Sequence, residues 1–355
     1  MATKSQVPSA APRPTRRPLL PVLIVATALG IAAFHVDAPS AAMKAPSAGA
    51  STTTCAGASA ARTVELSRLK VPQVRTVASR TASSGSYDWP LRPFNRQHPI
   101  RAFFNDPRIG RHEHVFHFGI DIAAQDGAPV YAVASGRVWV HGESVAVVSA
   151  GRVFGYWHIR AAVETDQQVE HHQLLGYVGG GWGHVHFAES HNHRYVNPLR
   201  PGALGPYGDS TPPIVAAVGV ARGESGVARG RVTLVADAFD TTIPRVGGAW
   251  RDEPVTPALV RWRLLKGDAT AIGWRTAADF RSEMMPASAF ARIYSPVTTQ
   301  NHKGEPGLFC FNLARGLDTR VLEDGVYRLQ VAASDTRGNR SVGSVTLTVA
   351  NGTRR

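Results

Sequence analysis

Between residues 128 and 160 the chain reads APVYAVASGRVWVHGESVAVVSAGRVFGYWHIR. Short runs rich in valine and aromatic residues are cut by Ser-Gly, His-Gly and Ala-Gly. β-Branched and aromatic residues suit a pleated surface, and glycine supplies the left-handed backbone that tight turns need. No apolar spacing of three and four residues is sustained, so an amphipathic helix is excluded here. The segment therefore predicts two hairpins, one turning at Ala-Ser-Gly and one at Ala-Gly. The fold class that follows is mainly β: a helix-poor, mostly antiparallel domain over residues 86–200.

The flanks differ in texture. Residues 1–42 carry a basic stretch ending at Arg16 and Arg17, an uncharged apolar run from Leu19 to Phe34, and small residues at Ser40 and Ala42. This is the layout of an export signal cleaved after Ala42, or of a retained N-terminal membrane anchor. The apolar run is shorter than the ~20 residues of a membrane span. Residues 43–85, rich in Ala, Ser and Thr, read as a flexible spacer. Pro and Gly then mark a linker at 201–213. Strand-like alternation returns over 214–351, from RGRVTLVADAFD to DGVYRLQVAASDTRGNRSVGSVTLTVAN. The closing hairpin, turning at DTRGNRS, resembles the last strands of immunoglobulin-like or fibronectin-like β-sandwiches. Residues 266–305 read as an irregular insertion. The carboxylates in ADAFDT and DTRGN fit no calcium-loop spacing.

The formal net charge is +13 and the sequence pI is about 10.4. Such a balance favours anionic partners, whether nucleic acid, anionic lipid or an acidic wall polymer. Export to an extracellular or cell-wall location, or retention on the outer face of the membrane, argues against nucleic acid. Two cysteines, Cys55 and Cys310, are too few for a thiolate metal site. In an oxidising compartment they can pair, and a free thiol at Cys310 is the alternative.

Eleven of the fourteen histidines lie between His112 and His193. In HFGID, His117 and Asp121 are four residues apart and share a side of an extended segment. In GHVHF, His184 and His186 share a strand face, and Val185 points to the core. In GYWHI, strict alternation puts His158 on one face with Phe154 and Tyr156. Three protein ligands and one open position make a hydrolytic zinc site. His117, Asp121 and one of His184 and His186 would supply the ligands, leaving two imidazoles for protons near neutral pH. His112 and His114 have the opposite phase to His117. His141, His171, His172, His191 and His193 read as surface or loop residues.

The order His-x-x-x-Asp, Tyr-x-His, Gly-x-His-x-His-Phe resembles the lysostaphin-type (LytM family) zinc metallopeptidases, which are peptidoglycan endopeptidases. HFGIDIAAQDGAPVYAVASGRV is similar to that family's first motif and hairpin, and QLLGYVGGGWGHVHF to its closing strand. The resemblance covers residues 86–200. It implies a zinc ion on His117, Asp121 and His186, with His158 and His184 as the catalytic histidines. From the residues alone, the reverse assignment of His184 and His186 fits equally well. The resemblance also implies hydrolysis of peptidoglycan stem peptides or cross-bridges by a zinc-activated water. The alternative is a non-catalytic peptidoglycan-binding protein, or an activator of other wall hydrolases. Two features depart from the family pattern. The loop before GHVHF is a short VGGGW, and Ala188 separates the motif from Glu189.

Overall fold

The structure is a computed structural model and describes residues 55, 85–111, 113–222 and 226–352. All of them belong to one compact unit, Met43–Arg355. The export signal at 1–42 and all of the 43–85 spacer except Cys55 and Gly85 lie outside the described residues. No helix among those described is long and apolar enough to cross a membrane.

The N-terminal half is built of thirteen short strands. They are β1 (Ile100–Ala102), β2 (Pro107–Ile109), β3 (His114–Phe116), β4 (Ile120–Ala123), β5 (Pro129–Tyr131), β6 (Gly136–His141) and β7 (Ser144–Ser149). Then follow β8 (Arg152–Trp157), β9 (Ile159–Ala161), β10 (Gln168–Val169), β11 (Leu174–Val178), β12 (His184–His191) and β13 (Arg194–Val196). The main sheet runs in the order β1-β4-β12-β8-β7-β6-β10, with β13 on β12. A smaller sheet runs β5-β11-β9. The pairings within both are antiparallel. The hairpin β7–β8 turns at Ala150 (φ 45°) and Gly151 (φ 80°), the double left-handed geometry of a type I′ turn.

Strand β12 is central, flanked by β4 and β8. Its alternation divides two environments. Val185 and Phe187 are fully buried in a core with Ile120, Ile122, Phe154 and Tyr156. His184 and His186 look out from the opposite face. Glu189 has the core phase, and it is wholly buried. It accepts hydrogen bonds from Tyr87 Oη (2.6 Å) and from both terminal nitrogens of Arg200 (2.6 and 2.7 Å). The Glu that trails the family motif here braces the core and does not face the histidines.

The C-terminal half contains β14 (Ile214–Val220), β15 (Val227–Ala228), β16 (Arg231–Phe239), β17 (Leu259–Lys266), β18 (Ala269–Asp279), β19 (Cys310–Asp318), β20 (Gly325–Ser334) and β21 (Arg340–Val349). One sheet is β14-β16-β19 and the other β15-β21-β20-β17-β18. Alternate residues of both, among them Leu234, Ala236, Trp262, Leu264, Leu329 and Leu347, meet in a second core. Part of the expected insertion, residues 269–279, is a regular strand paired with β17. The rest is irregular apart from a 3-10 turn at Ala287–Ala289 and one helical turn at Phe290–Ile293.

The 201–213 stretch is not a free connector. Ala203, Leu204 and Tyr207 are buried in the first core. The two cores also exchange residues. Phe116, the last residue of β3, is packed among Phe280, Phe290 and Tyr294 in the second core, and Val255 is packed in the first. Backbone bonds Asn197 N–H to Ser282 O (2.7 Å) and Met284 N–H to Tyr195 O (3.0 Å) join the halves.

Cys55 and Cys310 form a disulfide with Cα atoms 5.5 Å apart. Cys310 opens β19 and is fully buried. A link across 255 residues limits the unfolded chain, and such links are worth about 2–4 kcal/mol. Reduction is therefore expected to lower the melting temperature. Equal melting curves with and without reductant would show that the link carries no stability.

Candidate metal centre

The outer face of β12 carries the site. Register places Asp121 of β4 and Trp157 of β8 directly opposite His186. Directly opposed residues in an antiparallel pair share a face, so the carboxylate and the imidazole meet by construction of the sheet. His117 reaches the same place from the turn between β3 and β4. Gly119 makes that turn possible, because a Cβ there would lie 2.8 Å from His186 Nε2 and overlap the Phe187 carbonyl. Gly119→Ala is expected to destabilise the fold by about 1–3 kcal/mol and to weaken metal binding. Unchanged melting and metal content in that variant would show that the turn has slack.

Three donor atoms converge. His117 Nε2 is 2.8 Å from His186 Nδ1, and each lies 3.1 Å from Asp121 Oδ1. Tetrahedral zinc with bonds of ~2.0–2.1 Å would hold such atoms about 3.3 Å apart. The triangle is thus of the size and donor type that zinc takes. All three residues are buried. The tautomer of His117 is fixed, because its Nδ1–H donates to Phe103 O (2.8 Å) and turns the Nε2 lone pair to the centre. Burial, and Arg108 nearby, depress the His117 pKa. Burial pulls His186 down to about 3. Both rings are therefore neutral, the form that ligates metal.

The second coordination sphere is specific. Asp121 Oδ2 accepts from Arg108 Nη2 (3.1 Å), which leaves Oδ1 to the triangle. Phe118 and Trp157 wall the His186 ring, at centroid distances of 4.2 and 5.1 Å. His186 Nε2 has no partner among the described residues.

His184 and His158 stand beside the triangle. His184 Nδ1–H donates to Trp182 O (2.9 Å), and its Nε2 points inward, 3.4 Å from Asp121 Oδ1. His158 is 4.6 Å from His184, centroid to centroid. Strict alternation would have left His158 on the core face with Phe154 and Tyr156. Instead β8 ends at Trp157, and His158 adopts φ 64°, which turns its ring to the site. A left-handed non-glycine residue is uncommon and costs energy, and such strain collects at functional sites. Its ring stacks on Trp182 at 3.9 Å and 25°. Burial, then the neighbouring His184, bring its pKa down to about 3, so it is neutral in the absence of a ligand.

Several site residues carry no motif in the sequence. Trp182, from the short VGGGW loop, holds both histidines, one by its ring and one by its carbonyl. Arg101 donates to Trp182 O (3.0 Å), lies 3.4 Å from His184 Nε2, and stacks under Trp250 of the C-terminal half at 4.3 Å. A tryptophan between glycines two residues before His184 was the one available signal. Arg101 and Arg108 had none. His112 lies outside the described residues. His114, His141, His191 and His193 are exposed and away from the triangle, while His171 and His172 bond Asp88.

The model of peptidase family M23 matches residues 115–198, the segment that spans the triangle and both flanking histidines. A variant of the catalytic domain of the prophage-encoded M23 protein EnpA from Enterococcus faecalis is 30% identical over 28% of this chain and 88% of its own, with a TM-score of 0.25. Residues 115–198 are a peptidase family M23 domain. Csd3 from Helicobacter pylori is 23% identical over 37% of this chain, with a TM-score of 0.29. A zinc-containing peptidase from Vibrio cholerae is 24% identical over 35%, with a TM-score of 0.29. The chain spans 39% and 41% of the lengths of those last two. No curated protein matches the chain.

Proposed function

We propose that the chain is an exported zinc metalloendopeptidase that hydrolyses peptide cross-links of bacterial cell-wall peptidoglycan. The observation that carries this reading is the donor triangle of His117, Asp121 and His186 with two more histidines at its edge, all inside the M23 segment. His117 Nε2, Asp121 Oδ1 and His186 Nδ1 would hold the zinc. Bound there, zinc supplies a Lewis acid and lowers the pKa of water towards ~7.

The chain's own groups do the rest. His184, its Nδ1–H tied to the Trp182 carbonyl, presents Nε2 to the centre, with Arg101 Nη2 3.4 Å away, and takes the proton from the attacking water. His158, neutral and clamped against Trp182, accepts or returns a proton beside it. Arg108 keeps the Asp121 carboxylate turned so that one oxygen faces the centre. Arg101 brings a fixed positive charge near the reacting carbonyl, where negative charge develops. The positive net charge suits an anionic wall. The disulfide agrees with an extracytoplasmic location. The N-terminal segment is proposed to direct export or tether the protein to the membrane, and the two C-terminal sheets are proposed to form an immunoglobulin-like sandwich.

The test is release of free amines from purified walls of known cross-link chemistry, with fragments identified by mass spectrometry. Soluble fragments from walls with Gly–Gly or with D-Ala–diaminopimelate bridges would identify the bond. A zinc-loaded protein that cleaves neither would sink the reading in favour of a wall-binding protein or an activator of other hydrolases.

A further inference from the structure

Asp209, Asp240 and Asp335 lie far apart in sequence and fit no calcium loop. The fold brings them together where the first domain meets the C-terminal sheets. Asp240 follows β16, Asp335 follows β20, and Asp209 belongs to the packed 201–213 stretch. Each offers a carboxylate oxygen within 4.8 Å of the other two. Asp240 is 1% exposed, Asp335 5% and Asp209 8%.

The cluster is under-satisfied. Asp209 Oδ1 accepts from Thr211 N–H (2.8 Å) and Asp240 Oδ1 from Thr241 N–H (2.8 Å). Asp335 accepts from the Arg337 and Asn339 backbone N–H groups (2.8 and 2.9 Å) and from the Asn339 side chain. Asp209 Oδ2 and Asp240 Oδ2 are left buried with no partner among the described residues. No ion pair among the described residues reaches any of the three carboxylates. Arg337 is near, but its Nη2 donates to Leu199 O (3.2 Å) and its guanidinium lies 4.8 Å over the Tyr207 ring. Burial, reinforced by the mutual repulsion of the acids, pushes Asp209 up to about 6 and Asp240 well above the usual range. Asp240 and Asp335, without Asp209, also line a cavity of about 10 Å³ with Phe103, Asn197 and Leu199, the lower limit for a single water-sized occupant.

We propose that Asp209, Asp240 and Asp335 bind one calcium ion that ties the M23 domain to the C-terminal sheets. Oxygen donors without imidazole or thiolate select a hard cation. Calcium accepts irregular geometry from separate loops, whereas magnesium demands a near-ideal octahedron and retains its waters. Charge agrees: three carboxylates and one guanidinium leave two negative charges, which one divalent ion neutralises. The site shares no residue with the zinc triangle, so it stands whether or not the chain is a peptidase.

The test uses the full-length chain loaded with zinc and dialysed to roughly 10 mM calcium chloride, above the ~10⁻³ M dissociation constants of weak extracellular sites. Metal content and melting temperature are read together. The wild type should take up one calcium per chain and melt higher. Asp240→Asn should keep its zinc, lose the calcium and lose the upward shift. Asp209→Asn, at the most exposed of the three positions, provides the same comparison if Asp240→Asn does not fold. Loss of calcium in either variant that retains zinc supports the site. A wild type that takes up none, or zinc-holding variants that take up as much as the wild type, overturn it.

Discussion

Alanine at His184 is expected to leave zinc bound while peptide cleavage falls roughly 10²–10⁴-fold, the usual contribution of a positioned general base. Alanine at His117 should remove zinc and cleavage together. The two residues differ in where their nitrogens point. His117 Nε2 is a corner of the donor triangle, 2.8 Å from His186 Nδ1. His184 Nε2 is outside it, with its nearest triangle contact 3.4 Å away at Asp121. Removing a corner leaves a histidine and a carboxylate, too few to retain a structural or catalytic zinc. Removing His184 leaves all three donors in place. Metal analysis of the two purified variants, paired with amine release from walls, reads the contrast directly. Zinc missing from the His184 variant, with zinc retained at His186→Ala, would reverse the assignment of that pair.

The largest effect on stability is expected at Glu189. Its side chain is wholly buried on the core face of β12 and is matched by Arg200 through two bonds and by Tyr87 through one. Glu189→Ala leaves a guanidinium facing the core and a tyrosine hydroxyl without its acceptor. Breaking a buried pair costs about 3–5 kcal/mol. Arg200 retains 27% side-chain exposure, so it can reach water, and the lower end of that range applies. Burial and the Glu189 carboxylate hold the Tyr87 pKa far above normal, so the phenol remains a donor at any working pH. Urea unfolding measures the loss. A change below about 1 kcal/mol would show that Arg200 relaxes fully into solvent and that the pair is not buried in effect. Cleavage per folded molecule should be unaffected, because Glu189 points away from the two histidines of the same strand.

The β7–β8 hairpin was legible because it was written twice, in the Val and aromatic alternation and in its Ala-Gly turn. The hairpin expected at Ala-Ser-Gly does not form: β5 leaves for the smaller sheet to pair with β11, and β6 pairs with β7 instead. The shared face of His184 and His186 was legible from alternation too, since a strand has a period of two. His158 was placed on the wrong face because alternation assumes extended backbone at every residue, and one left-handed φ cancels it. Arg101 and Arg108 were illegible because they sit in three-residue strands too short to show a period, and Trp182, in a glycine-rich loop, offered only its place between glycines. The Asp209, Asp240 and Asp335 cluster was illegible because its members meet only after both halves have folded. The Cys55–Cys310 link could be posed from composition, but proximity alone decided it.

Phe116 immediately precedes His117 in sequence, yet its ring belongs to the other half of the molecule. Val255 makes the reverse excursion. The M23 portion is therefore not a cassette that can be clipped out at residue 213 and fused elsewhere. An excised fragment would carry an exposed phenylalanine one peptide bond from a metal-site histidine. Recombination that keeps this donor triangle intact must carry the C-terminal sheets along with it as a single heritable block.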